Sequence, residues 1–389
     1  MSCNSLRFEF TTAPRIIFGC GAIREIGPLS AEFGKRAMLV TGRDGNRAGA
    51  LVELLSNAGV TVMQFPVPGE PALDLIREGT STALREKCDF VIGFGGGSAL
   101  DAAKAIAAMV ANGGDLLDYL DVIGRGKPLS RPSIPCIAIP TTSGTGSEVT
   151  RNSVLTSPEH RLKASLRGPY MLPKLALVDP ELTRTLPPAI TAATGMDALT
   201  QLIEPYVCLR ANPMTDGICK EGLMRAARSL RSAFDDGNNL AAREEMSVSS
   251  LFGGLALANA GLGAVHGFAS SIGGMINAPH GDICAALLPH VMAENIRALR
   301  TRAPQSPAIQ RYDEVAQILT GKSNARADNG VEWVRQLVEH MKIRPLRDYG
   351  MKSEYFPVLA EKSTKANSMK ANPIVLTHEE LISILEQSI

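Results

Sequence analysis

Long hydrophobic runs are missing from this chain: no stretch of about 18 uncharged apolar residues occurs, the length a membrane-spanning helix needs. The opening MSCNSLRFEF has no apolar segment behind a basic start, so no secretory leader is expected. Charge of one sign is scarce as well. Forty Lys and Arg face thirty-nine Asp and Glu, and no five like charges follow one another, so neither nucleic acid nor an anionic membrane is an expected partner. Cysteine never falls in CxxC spacing. The seven residues Cys3, Cys20, Cys88, Cys136, Cys208, Cys219 and Cys284 read as reduced thiols, mostly in the core, of a cytoplasmic protein. Internal repeats and low-complexity tracts are also absent.

What is present is too long for one ordinary core: 389 residues at about 150 per domain argue for two. The first half alternates β-branched runs (RAMLVT, VTVMQF, DFVIGFG, IPCIAIP, LALVD) with helical patterns at 48–58, 72–85 and 99–110. Continuous apolar strands separated by helices predict a parallel, Rossmann-like sheet covered on both faces. LRFEF and RIIFG flank a Pro-containing turn and are expected to form an antiparallel hairpin at the sheet edge. After Pro187 the strand signal stops and periodicities near 3.6 run over 193–206, 215–234, 242–257, 330–340 and 378–385. The expected organisation is an α/β dinucleotide-binding domain, 1–187, and an all-helical metal and substrate domain, 188–389, with the cleft between them. RTRAPQSPAIQRYD, near residue 305, is expected to be a mobile loop.

Two turns carry cofactor chemistry. GFGGGSALDAAKAIA places Gly95, Gly96, Gly97 and Ser98 between a buried strand and a helix, with Asp101 one turn on. Glycine lets a diphosphate approach the backbone, and the helix start offers free amides and partial positive charge. PTTSGTGSEVT adds Thr141, Thr142 and Ser147 at another strand end, suited to a ribose, carboxamide or diphosphate. Two such turns favour a dinucleotide. After RAMLVT stand Gly42 and Arg43, where NAD-specific proteins often carry a carboxylate for the adenosine ribose. Arg43 and Arg47 lie close enough in sequence to meet a 2′-phosphate, so NADP is permitted beside NAD, and preferred.

His266 and His280 both adjoin glycine within one Gly-rich stretch, and Asp197 lies on a preceding helix. One carboxylate and two imidazoles are a donor set for a divalent ion. Gln201 falls one helical turn after Asp197, and Ser270 one turn after His266, so each pair shares a helix face. Phe252, Phe268 and Met275 are apolar candidates for the pocket wall, though core packing is the commoner role of such residues.

FEFTTAPRIIFGCGA, GGGSALDAAK, PTTSGTGSEVT, LVDPELT, GMDALTQLIEPYV, GLGAVHGFASSIGG, APHGDICAALLPHV and NPIVLT together resemble the iron-containing, or group III, alcohol dehydrogenase family, almost end to end and in family order. The resemblance implies an N-terminal dinucleotide-binding domain and an all-helical C-terminal one, a plan shared with dehydroquinate synthase. It also implies hydride transfer between a nicotinamide and an alcohol carbon, and a homodimer formed through an edge strand near the N-terminus. The family binds Fe²⁺ or Zn²⁺ through an aspartate and three histidines, which match Asp197, Gln201, His266 and His280. A further family histidine, thought to move a proton, matches Ser270. Catalytic roles would therefore fall to His266, Ser270 and His280, with Gln201 as a weaker, neutral ligand favouring harder ions. The competing expectations are a maleylacetate-type keto-acid reductase, a dehydroquinate synthase-like lyase, and a metal-free cofactor-binding protein with altered or lost activity.

Overall fold

The computed structural model describes residues 6–160 and 162–389. Among these residues eight strands are formed: β1 Ile16–Phe18, β2 Arg36–Thr41, β3 Thr61–Pro66, β4 Phe90–Gly95, β5 Cys136–Pro140, β6 Asn152–Ser157, β7 Leu162–Arg167 and β8 Leu175–Val178. Six of them make one sheet in the order β1-β8-β5-β4-β2-β3, every pairing parallel. β4 and β5 are buried at every residue, as strands covered on both faces must be. Along β2, Met38 and Val40 join one apolar core with Ile76 and Ile106, while Ala37 and Leu39 join another with Ile26 and Leu51. The covering helices are α1 Ile26–Ala31 and α2 Gly49–Asn57 on the second face, and α3 Leu73–Arg85 and α4 Gly97–Asn112 on the first.

The expected edge hairpin does not form. Residues 6–10 are in no strand, and β1 instead lies parallel to β8, with Ile16 opposite Ala176. The antiparallel hairpin is elsewhere: β6 pairs with β7, Asn152 facing Arg167. It rests on α4 through β6 and on the helical half through β7.

From Pro188 onward the described residues form helices and no strand: α5 Pro188–Val207, α6 Pro213–Asp235, α7 Leu240–Asn259, α8 Ala264–Met275, α9 His280–Arg302, α10 Pro307–Thr320, α11 Ala327–His340, α12 Phe356–Thr364 and α13 His378–Gln387. α5 is buried along nearly its whole length and packs on α6, α7 and α9. Such a helix, apolar all round, has no solvent face and carries its polar residues into the interior. The stretch near residue 305 is not a long loop, since only residues 303–306 separate α9 from α10. Phe268 lies wholly in the helical core, with Phe252 and Met275 packed against it. Among the described residues no single helix is long and apolar enough to cross a membrane.

Candidate metal and cofactor site

The chain leaves β2 for β3 on one side of the sheet and returns to β4 on the other, so the topological switch point lies between the tips of β2 and β4. There Gly95 has φ of 157°, and a Cβ on it would lie 2.7 Å from that of Ala99. A Cβ on Gly97 would lie 2.7 Å from Thr145 Cγ2. Side chains are thus excluded where the turn enters α4, whose N-terminus has no side-chain cap. The first amides and the positive end of a 16-residue helix are left for an anion. The second turn is tied to the first, because the Thr141 amide donates to the Gly95 carbonyl at 2.9 Å. Thr142 stands against Gly96.

Asp101 is already engaged. Its Oδ1 accepts from Ser147 Oγ at 2.5 Å, and its Oδ2 from the Val154 amide at 2.8 Å. The buried Lys104 ammonium donates to the Ser147 carbonyl and Thr150 hydroxyl, each at 3.0 Å. Asp101, Ser147 and Lys104 therefore brace the second turn on α4. At the tip of β2, space around Gly42 is open. Arg43 Nε donates to the Pro68 carbonyl at 3.0 Å, whereas Arg47 is tied to Thr185 at 2.9 Å. A carboxylate does follow at Asp44, but it caps its own turn by accepting from the Asn46 amide.

The proposed metal donors converge. Asp197 Oδ1 lies 3.4 Å from His266 Nε2 and 3.6 Å from His280 Nε2. Asp197 comes from the middle of α5, His266 from the first turn of α8, and His280 opens α9 after Pro279. Two members of the cluster were not foreseen. Cys284, one turn after His280 on α9, places Sγ 3.6 Å from His280 Nε2 and 4.0 Å from His266 Nε2. The i, i+4 spacing of His280 and Cys284 was the available signal. Glu204, two turns after Asp197, faces His266 Nδ1 at 2.7 Å and also accepts the Val265 amide at 2.7 Å. With Nδ1 donating to that carboxylate, Nε2 presents its lone pair to the cluster.

Burial pushes the Asp197 carboxyl up, but His280 and His266 outweigh it and hold the group below its usual range. Gln201 adds to the same effect. Burial pulls both imidazoles down, yet Cys284 and Asp197 raise them above the usual histidine value. Burial raises the Cys284 thiol, and the two imidazoles bring it net below its usual value. This centre favours positive charge. Asp197 Oδ1 and Gln201 Oε1 are buried oxygens without a hydrogen-bond partner, a condition that a bound cation relieves. Four donor atoms of Asp197, His266, His280 and Cys284 lie within 4.8 Å of one another, so the residues fit a divalent ion.

Gly97, Ser98, Asp197, Gln201, His266, Ser270 and His280 line one cleft of about 1510 Å³. The Ser270 hydroxyl donates only weakly, to the His266 carbonyl at 3.4 Å, and is free to turn.

Residues 13–180 match the family described as iron-containing alcohol dehydrogenase, and residues 191–389 match its C-terminal family. The chain is 36% identical to a 1,3-propanediol dehydrogenase of Klebsiella pneumoniae, covering 98% of each. It is 32% identical to an NAD-dependent methanol dehydrogenase of Bacillus methanolicus, over 98% of this chain and 100% of that one. A crystal structure of 1,3-propanediol oxidoreductase superposes with a TM-score of 0.90 at 35% identity, covering 99% of this chain and 100% of that one.

Proposed function

The chain belongs to the iron-containing alcohol dehydrogenase family, and from that premise we propose a division of labour among its residues. The protein is an oxidoreductase that moves a hydride between a nicotinamide dinucleotide and the carbon of a small alcohol or aldehyde. One observation carries the residue roles: the uncapped start of α4 and the Asp197–His266–His280 cluster open into the same cleft. A dinucleotide held at one and an alcohol oxygen held at the other would put the two reacting carbons together.

Gly95, Gly96, Gly97 and Ser98 take the diphosphate, with Thr141, Thr142 and Ser147 shaping the wall beside it. Asp101 acts through Ser147, as a positioning residue. Gly42 and Arg43 lie by the adenosine ribose. NAD is the family's cofactor; NADP is accepted too, because Gly42 leaves open space there.

Asp197, His266 and His280 hold the divalent ion, with Gln201 supporting Asp197. When bound, such an ion polarises the substrate oxygen and stabilises its negative charge. Glu204 fixes the His266 tautomer, so that the imidazole coordinates through Nε2 and is unavailable as a base. Ser270, loosely bonded and on the cleft wall, hands on the hydroxyl proton to solvent.

Division at 187/188 into a dinucleotide unit and a helical metal unit follows the end of the strands at Val178 and the start of α5 at Pro188. A reduced cytoplasmic setting accords with the free thiols at Cys20, Cys88, Cys136, Cys208, Cys219 and Cys284; Cys3 lies outside the described residues. A homodimer through the short edge strand β1 is tested by light scattering.

The functional test is nicotinamide oxidation or reduction over a panel of diols, primary alcohols and their aldehydes, with wild type and Asp197→Ala. Turnover that falls together with metal content in the variant supports the roles; unchanged turnover removes Asp197 from them.

A further inference from the structure

We propose that Cys284 is a metal ligand of this chain, completing with Asp197, His266 and His280 a four-donor shell in which a thiolate stands in for the histidine replaced by Gln201. The inference rests on the reading of this cluster as a metal centre and goes beyond its ligand set.

The geometry is specific. An ion bonded to N and O at about 2.0–2.1 Å and to S at about 2.3 Å in a tetrahedron keeps its donor atoms roughly 3.3–3.7 Å apart. The separations here are 3.4 Å for Asp197 Oδ1 to His266 Nε2, 3.6 Å for Asp197 Oδ1 to His280 Nε2, and 3.6 Å for His280 Nε2 to Cys284 Sγ. His266 Nε2 to Cys284 Sγ is 4.0 Å, closed by a few tenths of an ångström.

Cys284 is wholly buried and presents Sγ between two imidazole nitrogens. A cysteine whose only role is packing has no need to face them. Asp197 Oδ1 is the independent pointer to a ligand: it is buried, aimed at the same two nitrogens, and otherwise without a partner. His280 and Cys284 sit one turn apart on α9, so a single rigid helix delivers both.

On binding, the thiol S–H bond breaks, the proton passes to solvent, and a sulfur–metal bond forms, with no change of oxidation state. Against expectation from Gln201, the shell then prefers softer ions. A thiolate with two imidazoles favours Zn²⁺ and Co²⁺ over Fe²⁺.

The test uses chelator-stripped full-length protein titrated with Co²⁺ and followed in the visible and near-ultraviolet. One equivalent should bind and produce a sulfur-to-cobalt charge-transfer band. That band should vanish in Cys284→Ser and survive in Gln201→Ala. Loss of a supporting partner commonly weakens metal binding about 10–100-fold, and loss of a ligand more, so Cys284→Ser should raise the Kd for Zn²⁺ by more than about 100-fold. X-ray absorption at the zinc edge of the wild-type protein, which needs no variant to fold, should show a sulfur scatterer at about 2.3 Å. Stoichiometric binding without the band or the sulfur scatterer overturns the role of Cys284 and leaves the metal centre standing. No saturable binding of either ion overturns both.

Discussion

Glu204 and His266 are joined by a 2.7 Å hydrogen bond between Oε2 and Nδ1, entirely inside the helical core. The same carboxylate accepts the Val265 amide in the first turn of α8, so it fixes both the imidazole and the helix start that carries it. Such partners raise ligand basicity and set ring orientation. Glu204→Gln should weaken Zn²⁺ binding about 10–100-fold without loss of helix content; equilibrium dialysis against a zinc buffer measures it. An unchanged affinity would mean that His266 needs no second partner.

With Gly42 beside the adenosine ribose, as proposed, a single substitution there tests cofactor choice. A Cβ there meets nothing within 4 Å, so Gly42→Asp fits without strain. Its carboxylate would accept hydrogen bonds from ribose hydroxyls and repel a 2′-phosphate. The ratio of kcat/KM for NADPH to that for NADH should fall at least about tenfold, which corresponds to about 1.4 kcal/mol of discrimination. An unaltered ratio would move the adenosine ribose away from the tip of β2.

Gly97 has no room for a side chain, since its Cβ would stand 2.7 Å from Thr145 Cγ2. Gly97→Val should therefore push the Gly95–Ser98 turn and the Thr141–Ser147 turn apart and, with the diphosphate held there as proposed, raise the Kd for NAD by an order of magnitude or more. Zinc binding in the helical half should be retained. Fluorescence titration with NADH reads the first effect and dialysis the second; equal loss of both would indicate unfolding instead of a local change.

Glu148 supplies a pH dependence unrelated to the metal. It is 2% exposed, with Oε2 unpartnered, and burial pushes its carboxyl up to about 7 from 4.5. A folded-state value above the unfolded one means that the folded protein binds the proton more tightly. The stability from this group is fully present below about 4.5 and is lost as pH rises through about 7. The full shift corresponds to about 3 kcal/mol as an upper limit. Thermal melts of the wild type should fall from pH 5 to pH 8 by more than those of Glu148→Gln. Parallel curves would show that the carboxyl reaches solvent.

Much of this was legible from local pattern. The strand–glycine–helix order placed Gly95–Ser98 at the start of α4, and helical spacing put Asp197 and Gln201 on one face of α5. Long-range pairing was not legible. β1 finds its partner in β8, with Ile17 opposite Leu177, and nothing in RIIFG distinguishes that from a local hairpin. The β6–β7 hairpin was missed because NSVLTS and LKASLR mix polar and apolar residues beside a long loop. Glu204 meets His266 across 62 residues of sequence, and it reads as one more polar position on an apolar helix. Cys284 was hidden by its type, since an isolated cysteine in an apolar run is normally core.

Whether hydride transfer depends on a divalent ion at the Asp197–His266–His280 cluster is decided by the metal content of the protein purified without chelator, measured alongside NAD-linked turnover before and after chelation. One divalent ion per chain is expected, with turnover that disappears on its removal and recovers when Zn²⁺ or Co²⁺ is restored. Turnover that persists undiminished in metal-free protein would contradict it, and would leave the Asp197–His266–His280 cluster as an ion-paired element of the core.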